Sequence, residues 1–295
     1  MRYDLCLPWY WEYDDVFVGM VERACTEAGI SLWQVTPGNL LESITALYKG
    51  TTTFKTLLNR GQGELTFEPI SRWARECGTR RINPAEVSAW SEDKSTMHYE
   101  FIHAGLNTPH TIVLASFLEA PVLPPIDLTP LGKNFVIKPS NGGGGEGVII
   151  GAASTDQILR ARMEFPKQKY LIQSHITPQI INEKTAWFRV FYASGETYPC
   201  WWATDTHIYQ IVTADDESQY GLDKLRDITR RIASICKLDW FSTEIALADD
   251  FVVVDYVNDE IDTRVQSQAL DGVPDEIINN IARQLVHIAK ENSQE

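Results

Sequence analysis

Cysteine is scarce and unpatterned in this sequence of 295 residues: Cys6, Cys25, Cys77, Cys200 and Cys236 are odd in number, widely spaced and without a C-x-x-C pair. Neither a disulfide framework nor a zinc site is indicated, and free buried thiols in a reducing compartment are expected. No apolar run approaches the roughly 18 residues of a membrane span. The opening MRYDLCLPWYW carries Asp4, is followed by Glu12, and lacks the apolar core of a signal peptide. A cytoplasmic protein without a membrane partner is therefore the expectation. Basic side chains are in deficit too, 26 Lys and Arg against 40 Asp and Glu, for a formal charge of −14. Nucleic acid is held largely by Lys and Arg neutralising phosphates, so it is not an expected partner, and any phosphate site must be local. Repeats, low-complexity tracts, a G-x-S-x-G elbow and a Cys/His signature of covalent catalysis are all missing.

What is present is ordinary globular composition, 44% hydrophobic and 22% charged, in a chain long enough for two or three subdomains sharing a core. A short apolar run to Leu7 is followed by helical spacing of Val16, Phe17, Met20, Val21, Ala24 and Cys25, closed by Gly29, and then by the strand-like ISLWQV. This order predicts a small α/β unit over the first 85 or so residues. The aromatics Trp9, Tyr10, Trp11 and Tyr13 stand after the first strand, where α/β folds often hold ligands, though packing is the expectation for them. The polar stretch NPAEVSAWSED reads as a boundary, and a helix is predicted from Glu92 to Ala104, before the strand HTIVL. APVLPPIDLTPLG is a loop; TDQILRARMEF a short helix; KYLIQSHI a strand; AWFRVFYASGETYPCWW a hairpin turning at Ser194-Gly195. An amphipathic helix from Gly221 to Lys237, strands STEIALA and FVVVDYV turning at Asp249-Asp250, and a helix from about Pro274 to Lys290 complete the chain. His98, His103 and His110 have no metal-ligand spacing and read as structural.

The stretch FVIKPSNGGGGEGVII is the most informative. Gly142, Gly144 and Gly147 satisfy G-x-G-x-x-G, but the following Val148, Ile149 and Ile150 favour a strand where a dinucleotide fold requires a helix. No Gly-Lys-Ser/Thr ends the run, which excludes a Walker A loop, and the lysine precedes the glycines, unlike that of a protein kinase. A β-hairpin with a glycine tip remains, its bare amides suited to nucleotide phosphates and Lys138 at its base. A solvated flexible loop is the competing reading.

Several segments, in order, resemble the ATP-grasp superfamily of carboxylate–amine ligases over roughly residues 92–274. EDKSTMHYEFIHAGLNTPHT is similar to the family's phosphate-lysine helix, FVIKPSNGGGGEGV to its phosphate hairpin, YLIQSHI to its hinge strand, WFRVFYASGE to its R-V-x-x-x-x-G-E segment and TEIALADDFVVVDYVND to its metal strands. The resemblance implies an α/β (α+β) fold: an N-terminal α/β domain over residues 1–88, and an ATP-grasp domain over 89–295 whose lid subdomain spans about 110–175. It implies ATP and Mg²⁺ as cofactors, with Mn²⁺ as an alternative occupant. Lys94, Lys138, Ser140, Gly142, Gly143, Gly144, Gly145 and Gly147 would face the phosphates, Gln173, Ser174, His175 and Ile176 the adenine, and Arg189 the terminal phosphate.

Glu244, Asp255 and Asn258 would supply the hard oxygens that magnesium prefers. The family's Glu-x-Asn is here Asp255-Tyr-Val-Asn258, one residue longer, so strand alternation puts Asn258 on the wrong face unless a bulge intervenes. Without a bulge, Asp255 with Asp259 or Glu260 is the competing set. A Pro-Gly substrate loop common in the family is replaced by NDEIDTRVQSQALDGVPD. Arg264 is a candidate for gripping a substrate carboxylate, against an equal alternative of pairing with Asp262 or Asp271. Trp201 and Trp202 are candidate pocket walls, and Asp205 or His207 a candidate proton acceptor, with core packing the simpler role for the tryptophans. The implied activity is ADP-forming ligation of a small carboxylate, activated as an acyl phosphate, to an amine, with amino acids or peptides as partners. A non-catalytic ATP-binding regulator and a kinase acting on a hydroxyl are the alternatives. Homodimerisation is common in the family.

Overall fold

The computed structural model describes residues 1–61, 64–259 and 261–294. Its first layer is a parallel sheet in the order β2-β1-β3-β4, from β1 (Arg2–Pro8), β2 (Leu32–Val35), β3 (Thr53–Leu58) and β4 (Arg80–Ile82), connected by α1 (Asp15–Ala28), α2 (Leu40–Tyr48) and α3 (Glu68–Glu76). Parallel strands need covered faces. The α1 stripe of Phe17, Val18, Val21, Ala24 and Cys25 covers one face, and a second core around Val35, Leu47, Phe54, Phe67 and Ile70 covers the other. Gly29 ends α1 in the left-handed conformation (φ 71°), its amide bonded to the carbonyls of Cys25 and Thr26.

The stretch expected to be a boundary is instead α4 (Ala85–Glu92). It escaped the periodicity because its buried positions are Ser88 and Ser91, whose hydroxyls bond back to the carbonyls of Pro84 and Ser88. Asp93 then interrupts, and α5 (Lys94–His103) starts afresh with the Asp93 carboxylate capping the amides of Ser95 and Thr96.

A four-stranded sheet in the order β5-β8-β6-β7 follows, from β5 (Thr111–Leu114), β6 (Phe135–Pro139), β7 (Ile149–Ala152) and β8 (Tyr170–Ser174), with α6 (Thr155–Glu164) packed on it around Phe135, Ile137, Ile158 and Ile172. The expected glycine hairpin is present: β6 and β7 pair antiparallel. After the short pair β9 (Ile180–Ile181) and β10 (Lys184–Thr185) comes the largest sheet, in the order β13-β12-β11-β14-β15. Its strands are β11 (Trp187–Ala193), β12 (Glu196–Trp202), β13 (Tyr209–Ile211), β14 (Trp240–Leu247) and β15 (Phe251–Asn258), with α7 (Ala214–Tyr220) and α8 (Lys224–Cys236) inserted between β13 and β14. The β11–β12 turn falls at Ser194 and Gly195, both at positive φ.

The last helix, α9 (Asp275–Gln294), packs against α1 and the first sheet rather than closing the second half alone. Asn292 donates to the Lys55 carbonyl and the Thr56 hydroxyl, so the C-terminus completes the N-terminal layer. Four of the five cysteines are buried as expected, but Cys77, just after α3, is exposed. Among the described residues no helix is long and apolar enough to cross a membrane.

Candidate active site

The fold brings charges from five elements to one cleft. Lys138, at the end of β6, is buried with its ammonium 2.9 Å from the Val254 carbonyl oxygen, 3.8 Å from the Asp255 carboxylate and 5.3 Å above the Tyr256 ring. Lys94, the first residue of α5, donates to the Gly142 carbonyl at 2.8 Å and lies 4.0 Å from the same Asp255. On β11, Arg189 stands directly opposite Glu244 of β14, with Nη1 at 3.0 Å from its carboxylate and Nε and Nη2 each 3.1 Å from the Ser242 hydroxyl. Glu244 stands directly opposite Asp255 of β15.

Two bulges in β15 shape this arrangement. Ser242 pairs with Asn258, Glu244 with Asp255 and Ile245 with Val253, so β15 spends one extra residue in each interval. The first brings the Asn258 amide to 3.2 Å from Asp255 Oδ2. The longer Asp255-to-Asn258 spacing is thus absorbed, and the trio Glu244, Asp255 and Asn258 shares one face. The second leaves Val254 out of the ladder, and its carbonyl is the one Lys138 takes. The competing set does not form around Asp259, which accepts from Asn83 instead; Glu260 lies outside the described residues.

Burial pulls the Lys138 ammonium below its ordinary value, with Asp255 opposing. Burial also raises the Glu244 carboxyl against the pull of Arg189, and the facing Asp255 charge adds to that rise. Asp255 is desolvated as well, yet Lys94, Lys138 and Arg189 hold it below the usual carboxylate range. Two facing carboxylates and an amide oxygen are the donor set a hard divalent cation prefers, and such an ion would relieve the Glu244–Asp255 repulsion. In residue type the set fits Mg²⁺; here Asn258 turns its amide nitrogen to Asp255, and the Glu244 oxygens accept from Arg189 and Trp187.

Behind the lysines runs a buried polar chain. Tyr256, fully buried, accepts from Gln173 Nε2 at 2.8 Å and meets His98 Nδ1 at 2.7 Å, while Gln173 also donates to the Thr111 hydroxyl. Burial first, then Lys138 and His110, lower the His98 pKa to about 4, which favours the neutral imidazole; in the tautomer with Nδ1 unprotonated, that nitrogen accepts the Tyr256 hydroxyl proton. Nothing in the residue pattern pointed to this chain, because its members lie far apart in sequence.

Of the expected phosphate set, Gly142, Gly143, Gly144 and Gly145 meet open space at their missing Cβ positions, whereas Gly147 is packed, its Cβ position 2.9 Å from Phe165. Ser140 departs from expectation: it is fully buried, its hydroxyl bonds Asp93 and accepts from the Ser95 amide, and its carbonyl takes the Lys94 amide. It ties the loop to α5 rather than facing the cleft. Gln173 and Ser174 sit inside β8 between β5 and β6, and His175 and Ile176 continue beyond the strand. Trp201 is core, with its indole nitrogen 3.3 Å from Asp216; Trp202 stacks on His207 and lies under Arg189 at 5.6 Å.

A second feature is a cavity of about 640 Å³ at the carboxyl ends of the parallel strands. Tyr10, Trp11 and Tyr13 follow β1, Asn59 and Arg60 follow β3, and Asn83 follows β4. The segment after Asn258 closes its other side with Asp259, Asp262 and Arg264. Contrary to the packing expectation, Tyr10, Trp11 and Tyr13 are 46%, 36% and 54% exposed. Arg264 lines the cavity but is engaged by both candidate partners, with Nη2 2.7 Å from Asp262 and 3.0 Å from Asp271. These pairings raise its pKa, and the pairing alternative is the one realised.

No protein-family model and no curated protein matches the sequence. Three-dimensional similarity is extensive. The chain is similar to D-alanine–D-alanine ligase from Bacillus anthracis complexed with ATP, at 14% identity, covering 100% of this chain and 97% of that one with a TM-score of 0.66. It is also similar to a RimK domain ATP-grasp protein from Sphaerobacter thermophilus, at 18% identity over 94% and 97% of the two chains, TM-score 0.62. The ATP-grasp ligase PsnB, complexed with minimal precursor, Mg and ADP, matches at 14% identity over 99% of both chains, TM-score 0.64. Together with the hairpin and the order of the sheets, these likenesses establish that the chain has the ATP-grasp fold.

Proposed function

We propose that the protein is an ATP- and Mg²⁺-dependent ligase that activates a small carboxylate as an acyl phosphate for attack by an amine. The observation that carries this reading is the convergence of Lys94 and Lys138 on Asp255, itself facing Glu244 and reached by Asn258. A triphosphate needs cations around its oxygens, and the two lysines and Arg189 supply them from a helix, a hairpin and a strand. Mg²⁺ held by Glu244, Asp255 and Asn258 would supply charge neutralisation between phosphate oxygens.

The residues of this chain have separate tasks. Lys94 and Lys138 bind and orient the phosphates. Arg189, fixed by Ser242 and Glu244, neutralises charge on the transferring group. The hairpin with its open glycines exposes amides to the phosphates and keeps water from the mixed anhydride. The carboxylate oxygen attacks the terminal phosphorus of ATP, forming the O–P bond of the acyl phosphate and breaking the P–O bond to ADP. Attack by the amine nitrogen on the acyl carbon then forms the C–N bond, breaks the C–O bond to phosphate and gives up the amine proton to solvent.

The longer Asp255-to-Asn258 spacing and the lost Pro-Gly loop counted toward a non-catalytic nucleotide binder. The bulge that brings Asn258 to Asp255 supports the ligase on the first count, and the lost loop still favours the binder. The deciding experiment is Mg²⁺-dependent ADP release against pooled amino acids and dipeptides, with Lys138→Ala and Asp255→Ala alongside. Pool-dependent ADP that both variants abolish is expected. ATP binding without turnover in any pool would replace the ligase by a regulator, and a phosphorylated product without condensation would replace it by a kinase.

A further inference from the structure

The cavity at the ends of β1, β3 and β4 is a built chamber whose chemistry can be read from its walls. Trp11 and Tyr13 form a corner, their ring centroids 5.1 Å apart and their planes at 60°, and Tyr10 adds a third exposed ring. Exposed aromatic faces of this kind attract organic cations through the ring quadrupole. Charge on the remaining walls points the same way. The two cations present, Arg60 and Arg264, are both turned onto acids: Arg60 pairs with Asp14 at 2.7 Å and also donates to the Ile261 carbonyl, and Arg264 pairs with Asp262 and Asp271. Two guanidiniums therefore stand against four carboxylates, Asp14, Asp259 and Asp262 in the wall and Asp271 behind Arg264. A carboxylate ligand entering here would add to that excess, whereas an ammonium would reduce it.

From this geometry we infer that the cavity takes the amine partner of the ligation, as a primary ammonium on an apolar or aromatic body. The identification rests on the ligase reading only in calling that molecule the amine partner. The cavity begins at Asp259, the residue after Asn258, so its occupant lies next along the chain from the cleft where the acyl group would form. Aromatic side chains hold the body and the acidic wall holds the nitrogen. The acid partner is left to the Arg189 side.

Calorimetric titration of the nucleotide-free protein with phenethylamine and with hydrocinnamate, alike in shape and opposite in charge, tests this. Phenethylamine should bind and hydrocinnamate should not. Binding should weaken with added salt and fall about fivefold or more in Trp11→Ala, a change at an exposed side chain, and in Asp262→Asn. Far-UV circular dichroism confirms that both variants are folded. Equal binding of the two probes, no binding of either at millimolar concentration, or unchanged affinity in both variants overturns the inference. Binding is read without ATP, so such a failure leaves the ligase reading standing. Conversely, amine binding without any ADP release would sink the ligase reading and keep the cation site.

Discussion

Acidification tests the buried His98–Tyr256–Gln173 chain. His98 is 3% exposed, has its Nδ1 2.7 Å from the Tyr256 hydroxyl and has its pKa lowered from 6.5 to about 4, chiefly by burial and then by Lys138 and His110. The folded value lies below the unfolded one, so the unfolded state takes up a proton first as pH falls. The contribution of a neutral His98 is thus complete above about pH 6.5, is lost progressively towards pH 4, and stays lost below it. Between about pH 7.5 and pH 5 these values give a loss of about 2 kcal/mol, and solvent screening reduces it to about 1 kcal/mol. Other groups also titrate, so the assay is urea unfolding of the wild type and His98→Gln at both pH values. The glutamine oxygen still accepts from Tyr256 but does not titrate. The wild type should lose about 1 kcal/mol more than the variant on going to the lower pH. An identical loss in the two proteins would refute the assignment of a neutral, Tyr256-bonded imidazole.

Arg60→Met should destabilise by about 3–5 kcal/mol in chemical denaturation, because it leaves the buried Asp14 carboxylate without its bidentate partner, and Arg60→Met with Asp14→Leu should recover most of that loss. Gly147→Ala places a methyl 2.9 Å from Phe165 and 3.3 Å from Pro139 at φ 71°, for a cost of about 1–3 kcal/mol in thermal unfolding; Gly144→Ala, with nothing within 4 Å, should cost only the left-handed backbone penalty of about 1 kcal/mol. In Arg189→Lys one ammonium replaces a fork that reaches Ser242 and Glu244 together, so ADP release should fall about a hundredfold in single-turnover kinetics while nucleotide binding changes far less.

Local chemistry was legible wherever a side chain's task is set by its near neighbours in sequence. The glycine hairpin, the turns at Ser194-Gly195 and Asp249-Asp250, and the helices α1, α6 and α8 all carry their own periodicity or turn residues. Helix α4 did not, because buried serines satisfied by their own helix look like a polar linker. Ser140 looked like a phosphate ligand beside the glycines, yet the partners that claim it, Asp93 and Ser95, lie about 45 residues earlier. Arg264 was readable as either grip or surface pair; Asp262 is two residues away, but only the loop that returns Asp271 to it decided the matter.

The sequence by itself determined the charge types of the cleft, the hairpin that presents Lys138, and the strands that carry Glu244 and Asp255, because residue identity and period-two alternation are local properties. Only the tertiary structure decided which of those groups meet. The β15 bulges are a property of pairing with β14, and they alone bring Asn258 to Asp255 and offer the Val254 carbonyl to Lys138. The aromatic cavity likewise exists only where the ends of three parallel strands face the segment beyond β15, and its walls are assembled from residues as far apart as Asp14, Arg60 and Asp262. Such contacts are set by how sheets pack and register, and no window of neighbouring residues contains them.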